Sequence, residues 1–324
     1  MAINGAIIGD IIGSQYESER CENPESCSLF TKRCSFTDDT VCALAIKHAI
    51  DTGISFEKSL RIIGRNHPAA GYAGMFEKWL MSDDMLPYGS WGNGSAMRVS
   101  YIGEYFDNIK DVEKWAKRSA EITHNSPEGI KGAVTTAVCI HMAKNKCTKD
   151  EIFNYLLSQY PSDEYPWSIE HDLNDLRENY SWSVKCQDCV PVAIRCFYEA
   201  DSYESFIRNV LSLDCDADTL GAIGGGVAEE FFGKTGFDNN RILQDFLTRD
   251  LYHIAHGEYK YIIKHHNRAE SSPSCYWGRT GSNKNNGFCP AIKRHAYVFT
   301  PQEIESDDVN QLLKVSKTPI IIPI

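Results

Sequence analysis

Glycines spaced by four constrain this chain more than any other feature. Gly5, Gly9 and Gly13 recur every fourth residue in an apolar stretch, and Gly221 and Gly225 repeat the interval. On a helix each set shares one face. Glycine costs a helix up to about 1 kcal/mol per residue relative to alanine. A helix that keeps several of them predicts another backbone pressed close against it. The flanks are too polar for a membrane GxxxG pair, so the spacing predicts a buried helix pair. The rest of the pattern is helical too. Tyr203, Phe206, Ile207, Val210 and Leu211 repeat at i, i+3, i+4, i+7 and i+8, the stripe of an amphipathic helix. Val112, Trp115, Ala116, Ser119 and Ala120 keep that spacing behind Asp111, the expected N-cap. Ile130, Val134, Ala137, Val138 and His141 predict another helix, as do Val41, Leu44, Ala45, His48 and Ala49. No run with two-residue alternation precedes the C-terminal region. The expected fold class is all-α.

The texture changes near residue 266. Residues 267–288 are rich in Ser, Gly, Asn and Lys and read as loop. Thr300-Pro301-Gln302-Glu303 then has the form of a capping box with proline at the first helical position, predicting a helix to about Lys317. The tail from Thr318 is a short apolar run broken by Pro319 and Pro323. The chain of 324 residues therefore divides into a domain over 1–265 and an extension over 266–324 packed on it. A net charge of −11 makes it a poor partner for nucleic-acid phosphates. No apolar stretch is long enough for a membrane span. The apolar N-terminus carries Asp10 and has no basic start, unlike a secretory signal. The twelve cysteines then read as reduced, mostly buried thiols of a cytoplasmic protein.

Two acidic clusters carry the chemistry. Thr37-Asp38-Asp39-Thr40 and Asp216-Ala217-Asp218-Thr219 each stand at the start of a helical pattern. Singly, each reads as a helix start, where the dipole and free N–H groups favour carboxylates. Together, four carboxylates and three hydroxyls make an all-oxygen set suited to hard cations such as Mg²⁺ or Mn²⁺, not to zinc. A glycine-rich run, Tyr88 to Arg98 (YGSWGNGSAMR), has the open backbone that cradles phosphates, with Trp91 or Tyr88 available to stack on a base; the bland reading is a turn. Glu17 follows the first helical stretch, where a lone glutamate usually faces solvent. Cys186 and Cys189 have the spacing of half a zinc site, but read as core or surface thiols. Cys275, Cys289, His265, His266 and His295 make a weaker metal candidate in the extension.

Five motifs occur in order: GAIIGDIIGSQYE at 5–17, FTDDT at 36–40, GSWGNGSAMR at 89–98, ITHN at 122–125 and LDCDADTLGAIGGG at 213–226. Together they resemble the ADP-ribosylglycohydrolase family, over roughly residues 3–256. The resemblance implies a compact, orthogonally packed helical domain with a binuclear Mg²⁺ or Mn²⁺ centre. It implies Thr37, Asp38, Asp39, Asp216, Asp218 and Thr219 as metal ligands. Gly89, Ser90, Gly92 and Asn93 would hold the diphosphate of ADP-ribose, Trp91 would contact the adenosine end, and His124 would line the cleft. Gly71-Tyr72 resembles a further diphosphate-contacting turn. Glu17 stands where the serine-type branch carries its catalytic glutamate, which favours an O-linked substrate. Two family glycines ahead of the second acidic motif are Asp214 and Cys215 here, with no ligand lost. The implied activity is release of ADP-ribose from a modified protein or small molecule, by a monomer if the analogy with relatives holds. Rival readings are an ADP-ribose-binding module, a metal-dependent phosphoester or diphosphate hydrolase, and an interaction protein acting through the extension.

Overall fold

The computed structural model describes residues 1–17, 20–83 and 85–258, and the backbone of four strands beyond them. Fourteen α-helices lie among the described residues: α1 (Ala2–Gly13), α2 (Asp38–Thr52), α3 (Phe56–Asn66), α4 (Gly74–Met81), α5 (Ser100–Tyr105), α6 (Ile109–Glu121), α7 (Pro127–Lys144), α8 (Lys149–Gln159), α9 (Leu173–Asn179), α10 (Cys186–Tyr198), α11 (Tyr203–Leu211), α12 (Ala217–Phe232), α13 (Asn239–Phe246) and α14 (Arg249–Ala255). A 3₁₀ turn covers Asn93–Ser95. The domain is thus helical, as the periodicity predicts. None of these helices is long and apolar enough to cross a membrane.

The two glycine-rich helices are the centre of the packing. α1 and α12 lie against each other, and both are buried on nearly every side. Methyl groups added at Gly5, Gly9 and Gly13 would collide with the backbones of Gly225, Gly221 and Ala217 respectively. The spacing of four therefore marks a backbone-to-backbone seam. Around it pack α7 and α10, themselves lined with buried small and branched residues. α11 presents its apolar stripe to α12. Tyr203 buries its ring there and donates its hydroxyl to the Gly5 carbonyl at 2.6 Å.

Helix starts follow local chemistry. Thr37 caps α2 by accepting from the Asp39 N–H at 3.3 Å, with Asp38 and Asp39 in the first turn. That helix ends at Gly53, whose φ of +78° suits glycine. α6 starts earlier than expected: its cap is Asn108, which accepts from Lys110 N at 2.9 Å, and Asp111 lies in the first turn. Asn108 has a β-region φ, and the side-chain bond makes it the better cap. α10 begins at Cys186, ahead of Pro191, which sits inside the helix.

After the helices, β1 (Tyr261–Lys264), β2 (Tyr276–Arg279), β3 (Phe288–Ala291) and β4 (Ile320–Pro323) form an antiparallel sheet in the order β3-β2-β1-β4, so a strand from the 1–265 part pairs with strands of the 266–324 part. β2 falls in the stretch expected to be loop: its four residues gain order by backbone pairing to both neighbours, a long-range effect that local composition does not encode. β4 lies against α3. The helix expected over 301–317 and the cysteine–histidine candidate with Cys275 and His295 lie outside the described residues.

Candidate functional site

The seam between α1 and α12 brings the two acidic motifs to one place. Asp10, one turn before the end of α1, is fully buried and organises the first of them. Its carboxylate accepts from Thr37 Oγ1 at 2.8 Å, Thr37 N at 3.0 Å and Thr40 N at 3.1 Å, and also from Thr40 Oγ1. With its O–H donated to Asp10, the Thr37 hydroxyl keeps its lone pairs free to act as an acceptor. Asp39 bridges to the second motif: Thr219 Oγ1 donates to its Oδ2 at 3.2 Å. Its other oxygen, Oδ1, is buried with no hydrogen-bond partner. Asp216, the N-cap residue of α12, accepts from Asn93 Nδ2 at 2.7 Å.

Glu17 hangs over this cluster from the loop after α1. It is exposed, yet its carboxylate, with those of Asp216 and Asp218, offers three oxygens within 4.8 Å of one another. Burial, above all, raises the proton affinity of the whole group. The Asp10 carboxyl is pushed up to about 6. Those of Asp38, Asp39 and Asp218 rise well above the ordinary range through burial and then repulsion from neighbouring carboxylates. Asp216 and Glu17 shift the same way, Glu17 through partial burial and the Asp216 charge. So many carboxylates in one dry place repel, and a cation relieves that repulsion. The orphaned Asp39 oxygen and the all-oxygen donor set both fit a hard divalent ion.

The glycine-rich loop borders the cluster. Gly92 pairs with Lys185 across a single antiparallel bridge, which fixes the loop to the start of α10. Asn93 is buried: its N–H goes to Val184 O at 2.7 Å and its amide holds Asp216. Three more N–H groups of the loop have internal partners. Gly89 N donates to Asn125 Oδ1 at 2.7 Å, Ser90 N to Thr123 O at 3.3 Å and Gly92 N to Ser90 Oγ at 3.1 Å. Trp91 is exposed at the rim, with Lys185 Nζ 5.9 Å from its ring. His124 is buried behind the loop; burial and the nearby Arg98 charge hold its pKa well below the usual imidazole value, so it is neutral. Gly71 has φ +95° and lies beside Asp38, while the Tyr72 hydroxyl turns away to Gly64 O at 3.1 Å. Cys186 and Cys189 are buried free thiols that donate to Gly92 O and Ser183 O, each at 3.0 Å; they pack the loop against α10.

Sequence reasoning missed Asp10 and Arg98. A lone acid within an otherwise apolar, glycine-spaced helix is the signal for the first, because a buried helix does not keep a carboxylate without partners. Arg98 closes the glycine-rich run, but nothing local says that it is buried.

The family model for ADP-ribosylglycohydrolase matches residues 1–242. The chain is 25% identical over 303 residues to ADP-ribosylhydrolase ARH3 of Homo sapiens, covering 71% of this chain and 84% of that protein. It is 28% identical over 193 residues to ADP-ribosylhydrolase ARH3 of Gallus gallus, covering 48% of this chain and 52% of that protein. A solved structure described as an ADP-ribosylglycohydrolase-related protein complex superposes with a TM-score of 0.61 at 20% identity, covering 79% of this chain and 95% of that one. This last likeness concerns the fold.

Proposed function

From the premise that this chain belongs to the ADP-ribosylglycohydrolase family, we propose that it hydrolyses the glycosidic bond between ADP-ribose and a modified side chain or small molecule, releasing ADP-ribose. The observation that carries this reading is the buried carboxylate cluster, with its orphaned Asp39 oxygen, under the exposed Glu17. Thr37, Asp38, Asp39, Asp216, Asp218 and Thr219 would hold two Mg²⁺ or Mn²⁺ ions. Such ions bind sugar hydroxyls and neutralise charge on oxygen. Asp10 and Asn93 position the ligands, the first through Thr37 and Thr40, the second through Asp216.

The residues of the chain divide the remaining work. The loop from Gly89 to Asn93, with Gly71, takes the diphosphate; the N–H groups of Gly89, Ser90, Gly92 and Asn93 are engaged internally, so the Trp91 N–H, Ser90 Oγ and the imidazole of His124 are polar groups it can use. Trp91 offers a ring at the adenosine end. Glu17 stands at the open side, where burial and the Asp216 charge raise its pKa; there it would protonate the leaving oxygen or activate the water. Bond breaking builds oxocarbenium-like charge on the ribose, and a water completes the exchange: its hydroxyl joins the anomeric carbon and its proton balances the one taken by the leaving oxygen. Glu17 at this position favours an O-linked substrate.

The test is release of ADP-ribose from serine-linked and arginine-linked substrates, with Mg²⁺ and with a chelator, beside Asp216→Asn and Glu17→Gln. We expect metal-dependent release from the serine-linked substrate, abolished by Asp216→Asn. Glu17→Gln should cut turnover about a hundredfold or more while ADP-ribose affinity stays within a few-fold. AMP in place of ADP-ribose among the products would overturn the reading in favour of a diphosphate hydrolase.

A further inference from the structure

Arg98 is fully buried, and among the described residues no carboxylate lies within ion-pair distance of it. Its Nη2 donates to Ser119 O at 2.5 Å and to Thr123 Oγ1 at 3.0 Å, and its Nε has no partner. A buried guanidinium without a counter-ion is costly. The structure gives it one specific task. A guanidinium only donates, so Thr123 Oγ1 accepts from Arg98 and keeps its own proton free for another acceptor. His124 Nδ1 lies 2.7 Å from that oxygen and, among the described residues, is the one acceptor within its reach, so the hydroxyl proton goes there. An imidazole nitrogen that receives a proton in this way is bare, which places the ring's own proton on Nε2.

The ring's other edge faces the glycine-rich loop. A methyl built on Gly94 would stand 3.2 Å from His124 Nε2, and one on Gly92 would stand 3.8 Å from it. His124 is anchored at its backbone as well, since its N–H donates to Ala120 O at 2.7 Å. We infer that Arg98 is a positioning residue: through the Thr123 hydroxyl it holds His124 in the Nε2–H tautomer, a neutral hydrogen-bond donor directed at the loop over Gly92 and Gly94. The nearby positive charge works in the same direction, because it disfavours a second proton on the ring. What the donor meets there, an oxygen of the substrate's diphosphate, rests on the proposed function; the tautomer itself does not.

The tautomer is read by ¹⁵N NMR on the full chain with labelled histidine, the His124 signals being assigned by difference from His124→Gln. At neutral pH we expect a bare Nδ1 and a protonated Nε2. Thr123→Val keeps the side-chain shape and deletes the hydroxyl; it should move His124 to a mixture of tautomers and weaken ADP-ribose binding about tenfold. Thr123→Ser should restore both. A protonated Nδ1 in the native protein, or a Thr123→Val variant with the tautomer unchanged, would overturn the inference. A native protein with the expected tautomer that fails to bind ADP-ribose would support the inference and sink the proposed function, so the two fail separately.

Discussion

Replacing Gly221 by alanine sets two opposed effects against each other. Alanine favours a helix by up to about 1 kcal/mol, so on an exposed helix the change would stabilise. Here the new methyl would stand 2.5 Å from the Gly9 carbonyl oxygen, 2.8 Å from its carbon and 3.2 Å from its Cα. An ordinary C···O contact is about 3.3 Å, so α1 and α12 must part by roughly 0.8 Å at the seam. The obstacle is backbone on a buried helix, which cannot swing aside as a side chain would. Overpacking of this kind costs about 1–3 kcal/mol or more. Because the obstacle is backbone, the upper end of that range applies; less the helix gain, the net expectation is a loss of about 2 kcal/mol, which lowers Tm by roughly 4–8 °C for a domain of this size. The same opening separates Asp10 on α1 from Asp216 and Asp218 at the start of α12, and it exceeds the tolerance of about 0.5 Å for a preorganised site. Mg²⁺ should therefore raise the Tm of Gly221→Ala by less than it raises that of the native protein. Thermal unfolding with and without Mg²⁺ measures both quantities. A variant as stable as the native protein, or more so, would refute the close-approach argument.

Asp10→Asn keeps the shape and removes one negative charge from the cluster; in chelator it should be at least as stable as the native protein, yet gain less from Mg²⁺, both read from melting curves. Glu229, buried beside α1, accepts from Gly5 N at 2.5 Å and from Asn239 Nδ2 at 2.9 Å, and its carboxyl is pushed up to about 7, chiefly by burial. Its folded pKa lies above the unfolded 4.5, so between these values the folded state holds a proton that the unfolded chain has lost. Stability from this group is therefore full below about 4.5 and falls as pH rises toward 7. Denaturant titrations across that window should show the fall, and Glu229→Gln should flatten it. Trp91→Ala, at an exposed rim position, should weaken ADP-ribose binding by about tenfold, since stacking on an adenine is worth ~1–3 kcal/mol, and should leave Tm unchanged; an unchanged Kd would remove Trp91 from the site.

Much of this protein was written in local sequence. Helical period, capping residues and glycine spacing act over a few residues, so α2, α7, α11 and the α1–α12 seam were legible before any coordinates. The acidic motifs were legible for the same reason, since each occupies one helical first turn. Tertiary structure decided what no window of the chain contains. It put the Asp10 carboxylate under Thr37 and Thr40, 27 and 30 residues away. It set Asn93 against Asp216 across 123 residues, and linked Arg98 through Thr123 to His124. It also paired β2 between strands where composition alone read loop. The physical reason is one of range. Backbone sterics and helix periodicity are properties of neighbours in sequence, whereas burial of a charge, and the partner that makes it tolerable, are properties of neighbours in space.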